Sequence, residues 1–187
     1  MKMIRNALNV TALVGLVTAL GAVTVAANAQ TAQATHDQWR IKRGYQIAPV
    51  PLDLKGKNPA LVGLGSYLVN AVGDCSGCHT NPEFAPGGDP YLGQKKKINA
   101  AHYLAGGQKF GPFTSRNLTP ENGLPEGHTF AEFRKIIRTG IDLDHQHPQF
   151  GPLLQVMPWP TYQEMSDYDL RAIYEYLRAI PPAKPGP

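Results

Sequence analysis

Cys75-Ser76-Gly77-Cys78-His79 contains both cysteines of this 187-residue chain and a histidine directly after the second one. Cys-x-x-Cys-His is the attachment pattern for c-type haem. Two thiols at this spacing, on a turn that leads into a helix, can each add to one vinyl group of a single porphyrin. The adjoining histidine is then held under the ring, where its imidazole can ligate the iron. The stretch therefore predicts one covalent haem c, with Cys75 and Cys78 as attachment sites and His79 as an axial ligand.

Three other uses of a cysteine pair fit this chain less well. A zinc site needs about four soft ligands, usually from two such pairs, and the chain has one pair. A thioredoxin-like redox pair stands in a βαβ context, which the surrounding sequence does not predict. A disulfide between cysteines this close would close a very short, strained loop.

Residues 1–29 are typical of a secretory signal peptide. Lys2 and Arg5 form a positive start, residues 10–27 are apolar apart from glycines and threonines, and Ala27-Asn28-Ala29 is a small-x-small cleavage site. The alternative is an uncleaved membrane anchor, since the apolar run is borderline in length for a span. We expect cleavage after Ala29 and a periplasmic or otherwise exported chain with no membrane span, which agrees with haem attachment outside the cytoplasm.

The charge of the chain argues against a nucleic-acid partner. The formal net charge is +4, and removal of Lys2 and Arg5 with the signal peptide lowers it to about +2. No basic stripe then remains to neutralise phosphates. Lys95-Lys96-Lys97 is the dense basic run of the mature chain, and it is either a solvated loop or a docking patch for an acidic redox partner.

The region before the haem motif predicts an arm followed by a helix. Residues 30–58 are polar and then interrupted by prolines, which predicts an extended arm ahead of a haem domain at residues 59–187. Residues 59–71 predict the first helix, with a proline at the first position and leucines at helical spacing. Gly63 and Gly65 within it indicate that another helix passes close by, bringing Tyr174 or Leu177 against the glycines.

The rest of the chain predicts long loops and two further helices. Residues 80–127 are rich in glycine and proline, and a loop region of this length needs a ligand to wrap around. Thr129 with Glu132 forms a capping box for a helix that ends at Gly140, and Ser166 starts a last helix that ends at Pro181-Pro182. Because no strand pattern of any length is present, the predicted fold class is all-α.

The second axial ligand decides whether the iron is closed or open to other molecules. Met157 lies in a loop stiffened by prolines, whereas Met165 is expected to staple onto Leu170 across the cap of the last helix. We therefore prefer Met157 to Met165. The alternative is a second histidine from a loop; the candidates are His102, His145 and His147.

Weaker predictions concern the groups around the haem. The second ring nitrogen of His79 is expected to donate to a backbone carbonyl, with Pro82 and its neighbours closest in sequence. Arg116, Trp159 and Tyr162 are candidates to hydrogen-bond the haem propionates, and each has the alternative of an ordinary surface or core position.

With these motifs in hand, the sequence resembles single-haem class I cytochromes c of bacteria. It is similar to one haem module of the cytochrome c subunits of membrane-bound alcohol and gluconate dehydrogenases. The matching stretches are Gly65 to Leu68, Cys75 to Thr80, Asn117 to Pro120, Thr129 to Gly140, Met157 to Pro160 and Asp169 to Pro182. The resemblance implies a compact haem domain of three to five helices, attached through Cys75 and Cys78 and ligated by His79 and Met157. Residues 85–109 and 142–150 exceed the minimal module.

A closed histidine–methionine haem predicts a non-enzymatic electron carrier whose partners are a donor dehydrogenase and an acceptor oxidase or cytochrome. One alternative is a haem-bearing subunit of a larger respiratory dehydrogenase complex. A peroxidase of the di-haem kind would need a second attachment motif, and a gas-binding sensor would need a vacant or weakly held sixth position on the iron.

Overall fold

The computed structural model describes residues 34–144 and 147–187. The predicted signal peptide and His145 lie outside these residues. By its internal contacts the chain divides into a unit that ends at Trp39 and a unit from Arg40 to Pro187, and the second unit contains the haem motif. No helix within the described ranges is long and apolar enough to cross a bilayer.

Helices dominate the described part of the chain. The helical segments are α1 at residues 34–47, α2 at Pro59–Tyr67, α3 at Cys75–His79, α4 at Phe130–Thr139, α5 at Trp159–Tyr162 and α6 at Asp167–Ala179. A π-helical turn, Leu68–Val72, continues α2, and Pro90–Leu92 and Ala100–His102 form 3₁₀ turns. The helical class is thus confirmed, with six α-helical segments in the described residues against the three to five expected.

Two small hairpins correct the all-α prediction. Strands β1, Lys109–Phe110, and β2, Phe113–Thr114, pair antiparallel, as do β3, Pro120–Glu121, and β4, Leu124–Pro125. Each strand has two residues, which is too short to produce an alternating apolar pattern in the sequence. Both hairpins lie in the glycine- and proline-rich region that was expected to consist of loops.

A glycine contact joins α2 to α6. A Cβ atom on Gly65 would lie 1.9 Å from the carbonyl oxygen of Ala172 and 2.7 Å from the Cβ of Tyr176. The predicted close passage of another helix is therefore confirmed, but the residues named for it were wrong. Tyr174 packs edge-on against Phe130 of α4 instead, while Leu177 lines the cavity described below.

A second glycine contact corrects the prediction of an extended arm. Residues 34–47 are helical, and a Cβ atom on Gly44 would lie 1.8 Å from the carbonyl oxygen of Gly63. Ser66 Oγ donates to the carbonyl of Gly44 at 2.7 Å, and Tyr45 Oη donates to that of Pro59 at 2.8 Å. This packing against α2 stabilises a helix that its own weakly periodic sequence did not indicate.

The caps of α4 and α6 were predicted correctly. Thr129 Oγ1 accepts from the backbone N–H of Glu132, whose carboxylate accepts from the backbone N–H of Thr129 in return. Gly140 ends α4 with φ +67°, the left-handed conformation that favours glycine. Ser166 Oγ accepts from the backbone N–H of Asp169 at 3.1 Å. These local contacts set where both helices begin and where α4 ends.

Candidate haem-binding cavity

A cavity of about 660 Å³ lies beside α3, bounded by α4, α6 and the loops that follow β2 and α4. Its volume is within the usual range for sites that enclose a small organic molecule. Most of its wall is apolar, and part of that wall comes from helical side chains. These include Leu68, Val69, Ile137, Leu170, Ile173 and Leu177.

Cys75, Cys78 and His79 all line this cavity. Both thiols are free, so the pair does not form a disulfide. Burial and the neighbouring Asp74 carboxylate raise the pKa of Cys75 to about 12, and the same two causes raise the pKa of Cys78. Both sulfurs are thus neutral thiols in a mainly apolar wall.

The imidazole of His79 is held in one orientation. Its Nδ1 lies 2.8 Å from the carbonyl oxygen of Arg116. Because a carbonyl can only accept, Nδ1 carries the hydrogen and Nε2 keeps a free lone pair. Burial is the main cause that lowers the pKa of His79, which favours the neutral form that can ligate a metal. The predicted backbone acceptor exists, but it is Arg116 and not Pro82 or its neighbours.

The side chain of Arg116 anchors a cluster of acidic groups at the polar edge of the cavity. Its guanidinium lies 2.5 Å from an oxygen of Asp142, 2.9 Å from one of Asp144 and 3.5 Å from one of Glu126. Asp144 also lies 3.0 Å from Nε2 of the buried His128. Desolvation raises the pKa of Glu126 to about 7, against the lowering effect of Arg116 and His128. We call these five residues the Arg116 cluster.

The three candidates for propionate binding take different positions. Arg116 lines the cavity but is already paired with carboxylates. Tyr162 also lines it, and its hydroxyl donates to the carbonyl of Gly73 at 2.7 Å. Trp159 Nε1 donates to the carbonyl of Leu154 at 3.1 Å, and its ring fills the space beside Gly140. The structure therefore brings Arg116 and Tyr162 to the cavity and uses Trp159 to cover the end of α4.

Both methionines considered as the second ligand line the cavity. Met157 lies in the loop before α5, and its carbonyl accepts from the backbone N–H of Trp159 at 2.8 Å. Met165 lines the cavity together with Leu170, the residue with which it was expected to form a staple. Position at the cavity wall does not separate the two sulfurs, so the preference for Met157 stays a prediction.

The histidine alternatives are distributed unevenly. His147 lines the cavity and packs against two aromatic rings. The centroid of its ring lies 5.2 Å from that of Phe113 and 4.8 Å from that of Phe150. His102 Nδ1 lies 2.9 Å from the carbonyl of Lys184, away from the cavity wall. Of the candidates in the described ranges, His147 is therefore the histidine that the structure brings to the cavity.

Several curated relatives of this chain are cytochrome subunits of bacterial dehydrogenases. The gluconate 2-dehydrogenase cytochrome c subunit of Pantoea cypripedii is 32% identical over 121 residues, which are 64% of this chain and 23% of that protein. The cytochrome c subunit of the quinone-type alcohol dehydrogenase of Komagataeibacter europaeus is 34% identical over 161 residues, covering 79% of this chain and 30% of that protein. The fructose dehydrogenase cytochrome subunit of Gluconobacter japonicus is 32% identical over 121 residues, which are 62% of this chain and 20% of that protein.

This chain carries a cytochrome c module. It spans less than a third of the length of each relative named above. No family model and no solved structure matches it. The resemblance stated from the motifs is therefore confirmed at the level of the module.

The cavity of the cytochrome c module fits a covalent haem c. An apolar wall suits the faces of a porphyrin, and the thiols of Cys75 and Cys78 stand at that wall as unlinked groups. A neutral imidazole with its Nδ1–H engaged leaves Nε2 for the iron, which is the usual arrangement of a ligating histidine. The residues present match the donor set and the polarity that this cofactor requires.

Sequence reasoning missed two groups of cavity residues. Phe110 and Phe113 line the cavity from the hairpin β1–β2, and Glu126 and Asp142 line its polar edge. The glycine- and proline-rich stretch gave no signal for the aromatic pair beyond the presence of two phenylalanines. The two aspartates at positions 142 and 144 indicated a turn, and nothing local identified Arg116 as their cationic partner.

Proposed function

We propose that this chain is an exported electron-transfer protein with one haem c, attached through Cys75 and Cys78 and ligated by His79 and Met157. The observation that carries the proposal is that one apolar cavity collects all four side chains. The position of His79 Nε2, fixed by the bond from Nδ1 to Arg116, supports its role as the first ligand.

The residues of the chain have three tasks in such a protein. Haem c supplies an iron that cycles between the ferric and ferrous states. The bond from His79 to the Arg116 carbonyl orients the ring and makes it a stronger donor, which favours the ferric state. The aliphatic wall keeps water out and favours the ferrous state of the haem, which carries less charge. A methionine ligand at Met157 raises the reduction potential relative to a second histidine. Arg116 and Tyr162 are the groups proposed to meet the propionates.

The ligand assignment is tested by comparing Met157→Ala with Met165→Ala in the oxidised holoprotein. Loss of the sulfur-to-iron charge-transfer band in Met157→Ala, with the band retained in Met165→Ala, is the expected result. His147→Ala serves as a further control because His147 also lines the cavity. The reverse pattern for the two methionines overturns the assignment.

Carbon monoxide binding tests the electron-transfer role itself. A sixth position held by a methionine excludes the gas, so the reduced holoprotein should bind it slowly or not at all. Met157→Ala should bind it rapidly and serves as the positive control. Rapid binding by the unaltered protein would favour a gas-binding sensor or a peroxidase.

A second candidate function is a haem-bearing subunit of a larger dehydrogenase complex. The relatives favour it, because their names describe cytochrome subunits of gluconate, alcohol and fructose dehydrogenases. Purification of the native holoprotein in mild detergent, followed by identification of the proteins that remain bound, tests this candidate. Co-elution with a substrate-oxidising subunit is expected, and elution as a single chain would contradict it.

A further inference from the structure

A projecting segment at residues 84–98, here called the Tyr91 loop, has a fixed base. Phe84 and Ile98 form an antiparallel bridge across it. The backbone N–H of Ala85 donates to the carbonyl of Lys97 at 2.9 Å, and the backbone N–H of Lys97 donates to the carbonyl of Gly88 at 3.0 Å. The two ends of the loop are thus joined by backbone hydrogen bonds, and the tip between them is presented by a defined stem.

The tip of the Tyr91 loop is also an ordered turn. Asp89 caps the 3₁₀ turn Pro90–Leu92 by accepting from the backbone N–H of Tyr91 at 2.8 Å. The backbone N–H of Asp89 donates to the side chain of Gln94 at 2.9 Å, and that of Gln94 donates to the Asp89 carbonyl at 3.1 Å. Local bonds of this kind hold a turn in one shape without a hydrophobic core.

This ordered turn presents two large apolar side chains to solvent. Tyr91 is 88% exposed and Leu92 is 72% exposed. The Tyr91 ring packs edge-on against Phe84, with 6.3 Å between the two ring centroids. A Cβ atom on Gly87 or Gly93 would meet no atom of the described residues within 4 Å. The tip is therefore convex and surrounded by open space, and burial within the protein does not explain its two apolar residues.

Three lysines follow the apolar tip directly. Lys95, Lys96 and Lys97 are all exposed. Two carboxylates lie on the same loop or at its base. Asp89 caps the turn, and Glu83 has a pKa that burial raises and that the charge of Lys96 acts to lower. The surface behind the tip therefore carries a net positive charge.

We propose that the Tyr91 loop docks on an anionic lipid bilayer, with Tyr91 and Leu92 inserted at the interface and the lysines at the headgroups. Tyrosine is enriched at that depth of a membrane. Binding of this kind scales with the buried apolar area and with attraction to anionic lipid. A protein partner fits this surface less well, because a stable protein interface buries about 800 Å² on each partner. An area of that size needs a broad patch, whereas the tip is convex and has two apolar residues. The proposal is independent of the iron ligands proposed above.

Partitioning of the holoprotein onto vesicles tests this proposal. The probes are vesicles of phosphatidylcholine alone and vesicles of phosphatidylcholine with phosphatidylglycerol, measured by co-sedimentation. Replacing both apolar tip residues, Tyr91→Ser with Leu92→Ser, should weaken binding to the anionic vesicles by about tenfold or more. Replacing the three lysines by glutamine should remove the preference for anionic lipid, since each lysine near such a surface is worth roughly fivefold in affinity.

Tyr168→Ser is the matched control, because Tyr168 is a 58% exposed tyrosine at the start of α6. It should bind like the unaltered protein. Any N-terminal segment that is retained is common to all variants, so the comparison isolates the loop. Absence of binding by the unaltered protein, or equal binding by the tip variant, overturns the proposal. Loss of a co-purifying protein in the tip variant, with vesicle binding unchanged, assigns the loop to a protein partner and also overturns it.

Discussion

The histidine side and the methionine side of the cavity are held in place by different kinds of contact. On the histidine side, His79 is bonded through Nδ1 to Arg116, and its carbonyl accepts from the backbone N–H of Gly106 at 2.7 Å. The next residue, Thr80, is fully buried and accepts from the backbone N–H of Leu104 at 3.0 Å. Distant parts of the chain thus fix both the ring and the backbone of His79, the proposed first ligand.

The methionine side depends on a short exposed loop. The backbone N–H of Leu154 donates to the carbonyl of Gly140 at 2.8 Å, which ties the loop to the end of α4. Beyond this tie, Gln155 and Val156 are exposed, and Val156 is 42% exposed. Met157 is therefore positioned by its own loop and by the start of α5. The difference is that segments distant in the sequence hold His79 directly, whereas Met157 is held through its own loop.

The largest expected effect separates the two sides directly. His79→Ala should lower the haem content per polypeptide by more than about tenfold, because it removes the ligand that the surrounding structure is built to orient. Met157→Ala should retain nearly all of its covalent haem. Haem absorbance per chain and haem staining after denaturing electrophoresis measure both. Equal loss in the two variants would remove the proposed difference between the sides.

A smaller effect is expected from Asp142, which holds the side chain of Arg116. The side chain of Asp142 is 10% exposed, so Asp142→Ala leaves a largely buried guanidinium without its closest partner. We expect a loss of about 2–3 kcal/mol in the free energy of unfolding, and a shifted reduction potential through the His79 bond.

Asp167→Ala is the matched control for this loss, since Asp167 pairs with Arg138 but its side chain is 58% exposed. It should cost clearly less than Asp142→Ala, because solvent screens an exposed ion pair. Denaturant unfolding of the holoproteins measures both losses. Equal destabilisation by the two substitutions would mean that the Arg116 cluster contributes no more than a surface ion pair.

The smallest effect concerns the pH dependence that Glu126 gives to the histidine side. Because desolvation raises the pKa of Glu126 from 4.5 to about 7, the folded protein keeps a proton that the unfolded chain releases in this range. The protonated Glu126 therefore stabilises the folded protein fully below about pH 4.5, and this stabilisation is lost as the pH rises to about 7. The free energy of unfolding should fall by an amount on the order of 2 kcal/mol over this range.

Glu126→Gln should remove this slope from the free energy of unfolding between about pH 4.5 and 7. Glu121→Gln, which alters an exposed carboxylate nearby, should leave it unchanged. Denaturant titrations at several pH values measure the slope. An unchanged slope in Glu126→Gln would assign the titration to another member of the Arg116 cluster.

The predictions of helix caps, which were made from neighbouring residues, were accurate. The capping box at Thr129, the cap at Ser166 and the stop at Gly140 each depend on residues within a few positions of one another. The α1 helix and the two hairpins were missed for the opposite reason. Gly44 is packed by Gly63 of another helix, and a two-residue strand depends on its partner for its conformation.

The sequence by itself determined the cofactor chemistry of this chain. Two thiols and an imidazole within five contiguous residues predict haem attachment wherever the segment is placed, and the relatives confirm the cytochrome c module. Tertiary structure alone decided what surrounds that motif. Arg116 lies 37 residues from His79, and its carboxylate partners lie on other loops. No local pattern records such pairings, because they exist only when packing has brought the segments together.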